Sequence, residues 1–238
     1  MGIQNSLWSV RTFYSPDAPF LTINSYVKSE RWFLILYWFV GIDYGMRNPA
    51  MCAYETTDDV LRWQYMSTEK SKLKSDSNLF SAHIPVVVTS EEDIAAGSID
   101  DSFDRYNLIA DYFMKTIDVL KPKAVFLEGY SLGSQGKVFS IAENTGILKG
   151  KLFDGGYKVY TLPPTVVKKY ATGFGNASKQ MMKEQFLRPH SIANKKMLIE
   201  KRVFDLHKVA HYKESPFTDL IDAYYVLKQG MDRVRQRP

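Results

Sequence analysis

The stretch WFLILYWFVGIDYG, residues 32–45, decides how this chain is read. Its first eleven residues, Trp32–Ile42, are apolar without alternation and rich in aromatics, as expected of a strand buried on both faces. The run falls well short of the ~18 residues that cross a bilayer. It also lies too far from Met1, and lacks a small-residue cleavage site, to be a secretion signal. A carboxylate follows immediately, in Gly41-Ile42-Asp43-Tyr44-Gly45. An ionised group at the end of a core strand is costly unless something pairs with it, which makes Asp43 the first candidate functional residue.

Three further acids occupy comparable places. Glu128 ends the short apolar segment AVFLE. Asp219 and Asp222 lie three apart in TDLIDAYYVL, so a helix would put both on one face. Helix caps and surface acids account equally well for any one of these. Four together, on two strand ends and one helix face, are harder to dismiss. Converging carboxylates raise one another's pKa unless a cation is present. The chain has a single cysteine, Cys52, and no convincing histidine cluster, so hard oxygen ligands favour Mg²⁺ or Mn²⁺ over zinc. Two such ions about 4 Å apart can activate a water and stabilise the leaving oxygen in phosphodiester hydrolysis.

Charge distribution points the same way. Of 238 residues, 45% are hydrophobic and 24% charged, which excludes a disordered or fibrous chain. The lone cysteine excludes a disulfide framework and suits a reducing compartment. The formal charge of +5 is unevenly spread: Lys137–Lys213 holds fifteen Lys/Arg against five Asp/Glu, whereas Asp58–Asp104 holds ten acids against four bases. A basic half with interspersed aromatics is the footprint of a phosphate-backbone binder, although a solvated helical face would look the same. Basic half and carboxylate cluster together suggest a metal-dependent nuclease.

Around these residues the chain reads as α/β. Ala50–Thr57 and Val60–Thr68 form a hairpin through Asp58-Asp59, and Ile84–Thr89 is a strand-like piece inside an acidic insertion at about 70–101. The apolar spacing predicts a helix over Asp104–Leu120, then the strand Ala124–Leu127, a Gly/Ser loop, and a helix over Lys137–Leu148. Tyr157–Leu162 is a strand, Pro163–Thr172 a short helix or turn, and Ala177–Leu187 a helix. Pro216–Gln229 is the last helix, with Gly230 expected just past its end. The domain expectation is an irregular extension over 1–30, a nuclease domain over 31–232, and a basic tail over 233–238.

At these motifs the chain resembles the RuvC family of Holliday-junction resolvases, within the RNase H-like superfamily. The family's first core strand ends GIDPG; here it is GIDYG at 41–45. Its second acid ends a strand before a loop and a long helix, as Glu128 does, and its last two acids form a D-x-x-D helix, here Asp219-Leu220-Ile221-Asp222-Ala223. Between them the family carries V-K and then G-x-x-x-x-K; here stand Val167-Lys168 and then Gly175-Asn176-Ala177-Ser178-Lys179, one residue shorter, with the lysines eleven apart as in bacterial members. The resemblance covers roughly 38–60 and 105–230.

The resemblance implies an RNase H-like five-stranded mixed sheet with helices on both faces, a homodimer joined near Lys137–Lys149, and Mg²⁺-dependent cleavage of four-way junctions. Asp43 would bridge two Mg²⁺ ions, which Mn²⁺ can replace, with Glu128, Asp219 and Asp222 completing the site. Lys168 and Lys179 would contact phosphates near the cut, and Lys137, Lys169, Lys183 and Tyr130 are further candidates for touching DNA. Where the family carries a junction-opening aromatic this chain has Ser131, so Tyr130 is the candidate substitute. The long spacing from Asp43 to Glu128 and the N-terminal extension suggest a divergent or viral member. The expected setting is the cytoplasm, at the nucleoid or inside an infected host cell, with no membrane attachment. The alternatives are a broader branched-DNA or flap nuclease of this fold and a non-catalytic junction-binding protein. Phe153-Asp154-Gly155-Gly156 also occurs in actin-like ATPases, but reads better as a turn, and His207 and His211 read as core or solvated histidines without an HExxH pattern.

Overall fold

The computed structural model describes residues 37–46, 48–57, 60–67, 86–88, 101–130, 138–188, 197–199, 202–204 and 217–236. The N-terminal extension, most of the acidic insertion, Ser131, Lys137, His207 and His211 lie outside the described residues.

The apolar run delivers its strand, β1, over Trp38–Asp43. Antiparallel strands β2 (Ala50–Glu55) and β3 (Val60–Ser67) follow, and a short β4 (Val86–Val88) pairs parallel with β3. Helix α1 (Asp101–Leu120) leads to β5 (Ala124–Glu128), and helix α2 (Val138–Asp154) to β6 (Val159–Leu162). The order in the sheet is β4-β3-β2-β1-β5-β6, with β5 parallel to both β1 and β6. The expected five-stranded mixed sheet is therefore present, with one edge strand added from within the acidic insertion. Helices α3 (Pro164–Thr172), α4 (Lys179–Phe186) and α5 (Phe217–Arg235) complete the layers, and β7 (Met197–Ile199) pairs with β8 (Arg202–Phe204) in a separate hairpin.

Side-chain alternation along β1 divides the core into two layers. Val40 and Ile42 join Val125, Leu127, Ile109, Phe113, Ile117, Leu148 and Leu152 beneath α1 and α2. On the opposite side Cys52, Trp63 and Phe126 pack with Leu220, Ala223, Tyr224 and Leu227 of α5 and with Phe186 of α4. Here the fit is made by absent side chains. A Cβ on Gly41 would lie 2.4 Å from the Leu227 nitrogen and 2.6 Å from the Ala223 oxygen, so α5 rests backbone-on-backbone against β1. Gly230 does not end the helix as expected. It sits inside α5, where a Cβ would lie 2.2 Å from the Phe126 ring, and α5 continues through Arg233 and Arg235 into the segment expected to be a tail.

Two other helix boundaries also moved. Helix α1 begins three residues before Asp104, and α2 runs on to Asp154, where Gly155 and Gly156 make the expected turn with Gly156 left-handed at φ 74.

Candidate active site

The parallel register sets the first half of the site. Gly41 pairs with Phe126 and Ile42 with Leu127, so Asp43 and Glu128 end adjacent strands side by side. Open α/β sheets place ligand sites at this carboxyl edge. The second half comes from α5, whose first turn carries Asp219 and whose next residue on that face is Asp222. Because α5 runs from this edge back along β1, its N-terminal turn lies over Asp43 and its partial positive charge favours acids there. Oxygens of Asp43, Asp219 and Asp222 lie within 4.8 Å of one another, and Glu128 joins them through a hydrogen bond with Asp43. The four acids named from sequence converge.

Their electrostatics show a site short of positive charge. Burial, then Glu128, Asp222 and Asp219, push the Asp43 carboxyl well above its usual range. Burial and Asp222 raise Glu128 to about 7, and burial raises Asp222 to about 6 although Lys179 opposes it. A carboxyl proton shared between Asp43 and Glu128 is the expected result. Lys179 supplies the nearest positive charge, with Nζ 2.7 Å from Asp219 Oδ1 and 3.6 Å from Asp222 Oδ2. Burial disfavours its ammonium, but Asp219 and Asp222 outweigh that and raise its pKa above the ordinary lysine value. Lys168, half-buried on α3, also opposes the rise at Glu128 and Asp222 through its charge. An all-oxygen donor set held this close fits hard divalent cations, whose binding would relieve the mutual repulsion of the carboxylates.

Lys179 is aimed by its local structure. Ser178 caps α4, accepting the Met181 N–H, and Lys179 is the first helical residue after it. Lys169 and Tyr130 are exposed. Lys183 requires a correction to its expected exposure: it is buried on α4, with Nζ 5.8 Å from the Phe217 ring centroid, because α4 turns that face into the core. The residues that sequence reasoning passed over are Gly41 and Gly230. An isolated glycine in an apolar strand was the available signal for Gly41; nothing comparable marks Gly230.

No protein-family model matches the sequence, and no curated protein matches it. The likeness is in three dimensions. Thermus thermophilus RuvC in complex with a Holliday junction substrate is 15% identical, covers 84% of this chain and 95% of its own, and superposes with a TM-score of 0.50. Thermus thermophilus RuvC alone is 18% identical over 83% and 95%, with a TM-score of 0.48. The yeast mitochondrial Holliday junction resolvase Ydc2 is 16% identical over 81% and 77%, with a TM-score of 0.49. The chain has an RNase H-like fold. Its mixed sheet and helices resemble those of RuvC in overall fold.

Proposed function

We propose that this protein is a Mg²⁺-dependent endonuclease that recognises branched DNA by shape, cuts four-way junctions, and works as a homodimer in the cytoplasm. The observation that carries the reading is the convergence of Asp43, Glu128, Asp219 and Asp222 at one sheet edge, with Lys179 paired to Asp219 and Asp222 and the charge of Lys168 acting on Glu128 and Asp222. The four acids would hold two divalent ions, which when bound supply an activated water and neutralise charge at the leaving oxygen. Asp43 lies close to both Glu128 and the α5 acids, so it would help to hold both ions. Lys168 and Lys179 bind the phosphate and offset the charge that builds on its oxygens during attack. Lys169 lies beside Lys168 on α3, and Tyr130 stands exposed just past Glu128, both available to DNA.

The dimer reading rests on α2. Phe139 and Phe153 are exposed at 82% and 80%, fourteen residues apart and so on one helical face. Gly146 and Gly150 lie between them with open space where a Cβ would be, beside a groove of about 380 Å³ lined by Phe103, Tyr106, Glu143 and Ile147. A second copy related by a two-fold axis can set its phenylalanines over this gap. Phe139→Glu should shift the sedimenting species from dimer to monomer.

Incubation with a synthetic four-way junction and Mg²⁺ should give paired nicks that Asp43→Asn abolishes. Intact junctions at high enzyme concentration, with Mg²⁺ or Mn²⁺, would contradict the reading. Faster cutting of flaps or forks than of four-way junctions would widen the substrate class. Tight junction binding without turnover, unchanged in Asp43→Asn, would point to a binding protein.

A further inference from the structure

The connection between α3 and α4 joins the two lysines of the site, and it is held unusually firmly for a surface turn. Gly173 is left-handed at φ 86 and returns its N–H to the Lys169 oxygen at 2.8 Å. The Thr172 hydroxyl donates to the Lys168 oxygen at 2.9 Å and accepts the Phe174 N–H at 3.1 Å. The Phe174 oxygen in turn accepts the Ala177 N–H at 3.3 Å. Gly175 lies so close to the first turn of α3 that a Cβ would stand 3.2 Å from the Thr165 oxygen. The backbone on both sides of Phe174 is thus anchored, yet its side chain remains 60% exposed.

A lone exposed phenylalanine is ordinary on a protein surface. This one occupies the tip of an anchored turn, six residues after Lys168 and five before Lys179, whose charges reach the carboxylate cluster. An apolar ring set between two cations along the chain favours a polyanion over an apolar protein partner, and every nucleobase has a π-face that an aromatic ring can stack on. We infer that Phe174 is a stacking platform for an unpaired nucleobase next to the scissile phosphate, positioning the strand for cutting. The inference rests on the proposed nuclease function and deepens it. The platform differs from the segment after Glu128, because it is carried by the turn that positions Lys179. The base must be unpaired, since a base within a continuous stack offers no free face.

The test uses four-way junctions carrying 2-aminopurine singly at each nucleotide flanking the cut, bound in Ca²⁺ to hold back cleavage. The wild-type chain should quench the fluorescence at one or two of these positions. Phe174→Ala should lose the quenching and bind about tenfold more weakly, the order expected of one base–aromatic stack. Its dependence on salt should stay that of the wild type, because no phosphate contact is removed. Phe174→Tyr and Phe174→Trp should restore both signal and affinity, which also guards against a folding defect in the alanine variant. Unchanged quenching and affinity in Phe174→Ala, or a wild type that cuts junctions without quenching any position, would overturn the platform while leaving the nuclease reading intact. A wild type that never cuts with Mg²⁺ would instead defeat the nuclease reading itself.

Discussion

The two faces of the sheet are built on different terms. Beneath α1 and α2, Val40, Ile42, Val125 and Leu127 interdigitate with Ile109, Phe113 and Ile117, so each helix is kept off the strands by side chains. Beneath α5 the spacers are missing at Gly41 and Gly230, and helix backbone meets strand and ring directly. Side chains can adjust rotamers to absorb a change; backbone atoms in contact cannot. The rigid face is the one that carries Asp219 and Asp222 to Asp43. A site that must hold ligand oxygens to a fraction of an ångström needs such support.

Substitutions on the two faces should therefore differ in kind as well as size. Gly41→Ala places a methyl group where α5 backbone already lies, and should destabilise the chain by about 3 kcal/mol or more. In the fraction that folds, α5 is displaced, so cation binding should fall far more than stability does. Ile117→Ala, on the adjustable face, should cost about 2–4 kcal/mol in denaturant unfolding yet leave cation binding at its wild-type strength. Equal losses of binding in the two variants would break the comparison.

Acidity separates the faces next, because the raised carboxyl groups belong to the α5 side. Glu128 at about 7 and Asp222 at about 6 both sit above their ordinary values of 4.5 and 3.8. The folded chain therefore holds these protons more tightly than the unfolded one. Their contribution to stability is complete below about pH 4 and is lost as pH rises through 6 to 7. In chelator, the melting temperature should fall by several degrees between pH 5 and 7.5 on this account, and Glu128→Gln should flatten the decline. Added Mg²⁺ should raise it more at pH 7.5 than at pH 5, since cation and protons compete for the same oxygens. The smallest effect expected is that of Ser178→Ala, which removes the cap of α4 and should cost about 1 kcal/mol, read from thermal unfolding.

Much of this was legible in the sequence where a residue's chemistry conflicted with its surroundings. Asp43 and Glu128 announce themselves as charges ending apolar strands, and Asp219 and Asp222 by their shared helical face. The central strands and the helices between them followed from hydrophobic period. Two features were not legible because they depend on what lies across the core. Gly230 reads as a helix terminator along the chain, but in the fold it is a space left for Phe126. Lys183 reads as one more cation of the basic half, but the packing of Phe186 and Met182 into the core carries it inward beside Phe217. The β7–β8 hairpin was passed over as well, since three-residue strands are too short to set up a period.

The central claim is that the four acids form one cation site. It is tested most directly by titrating the chain with Mn²⁺ and following the paramagnetic resonance of the free ion, with no DNA present. The wild-type chain should deplete the free-ion signal towards two ions per chain, and Asp43→Asn should abolish that uptake while keeping the wild-type circular dichroism. An undiminished free-ion signal with the wild-type chain, or uptake by Asp43→Asn equal to it, would contradict the account.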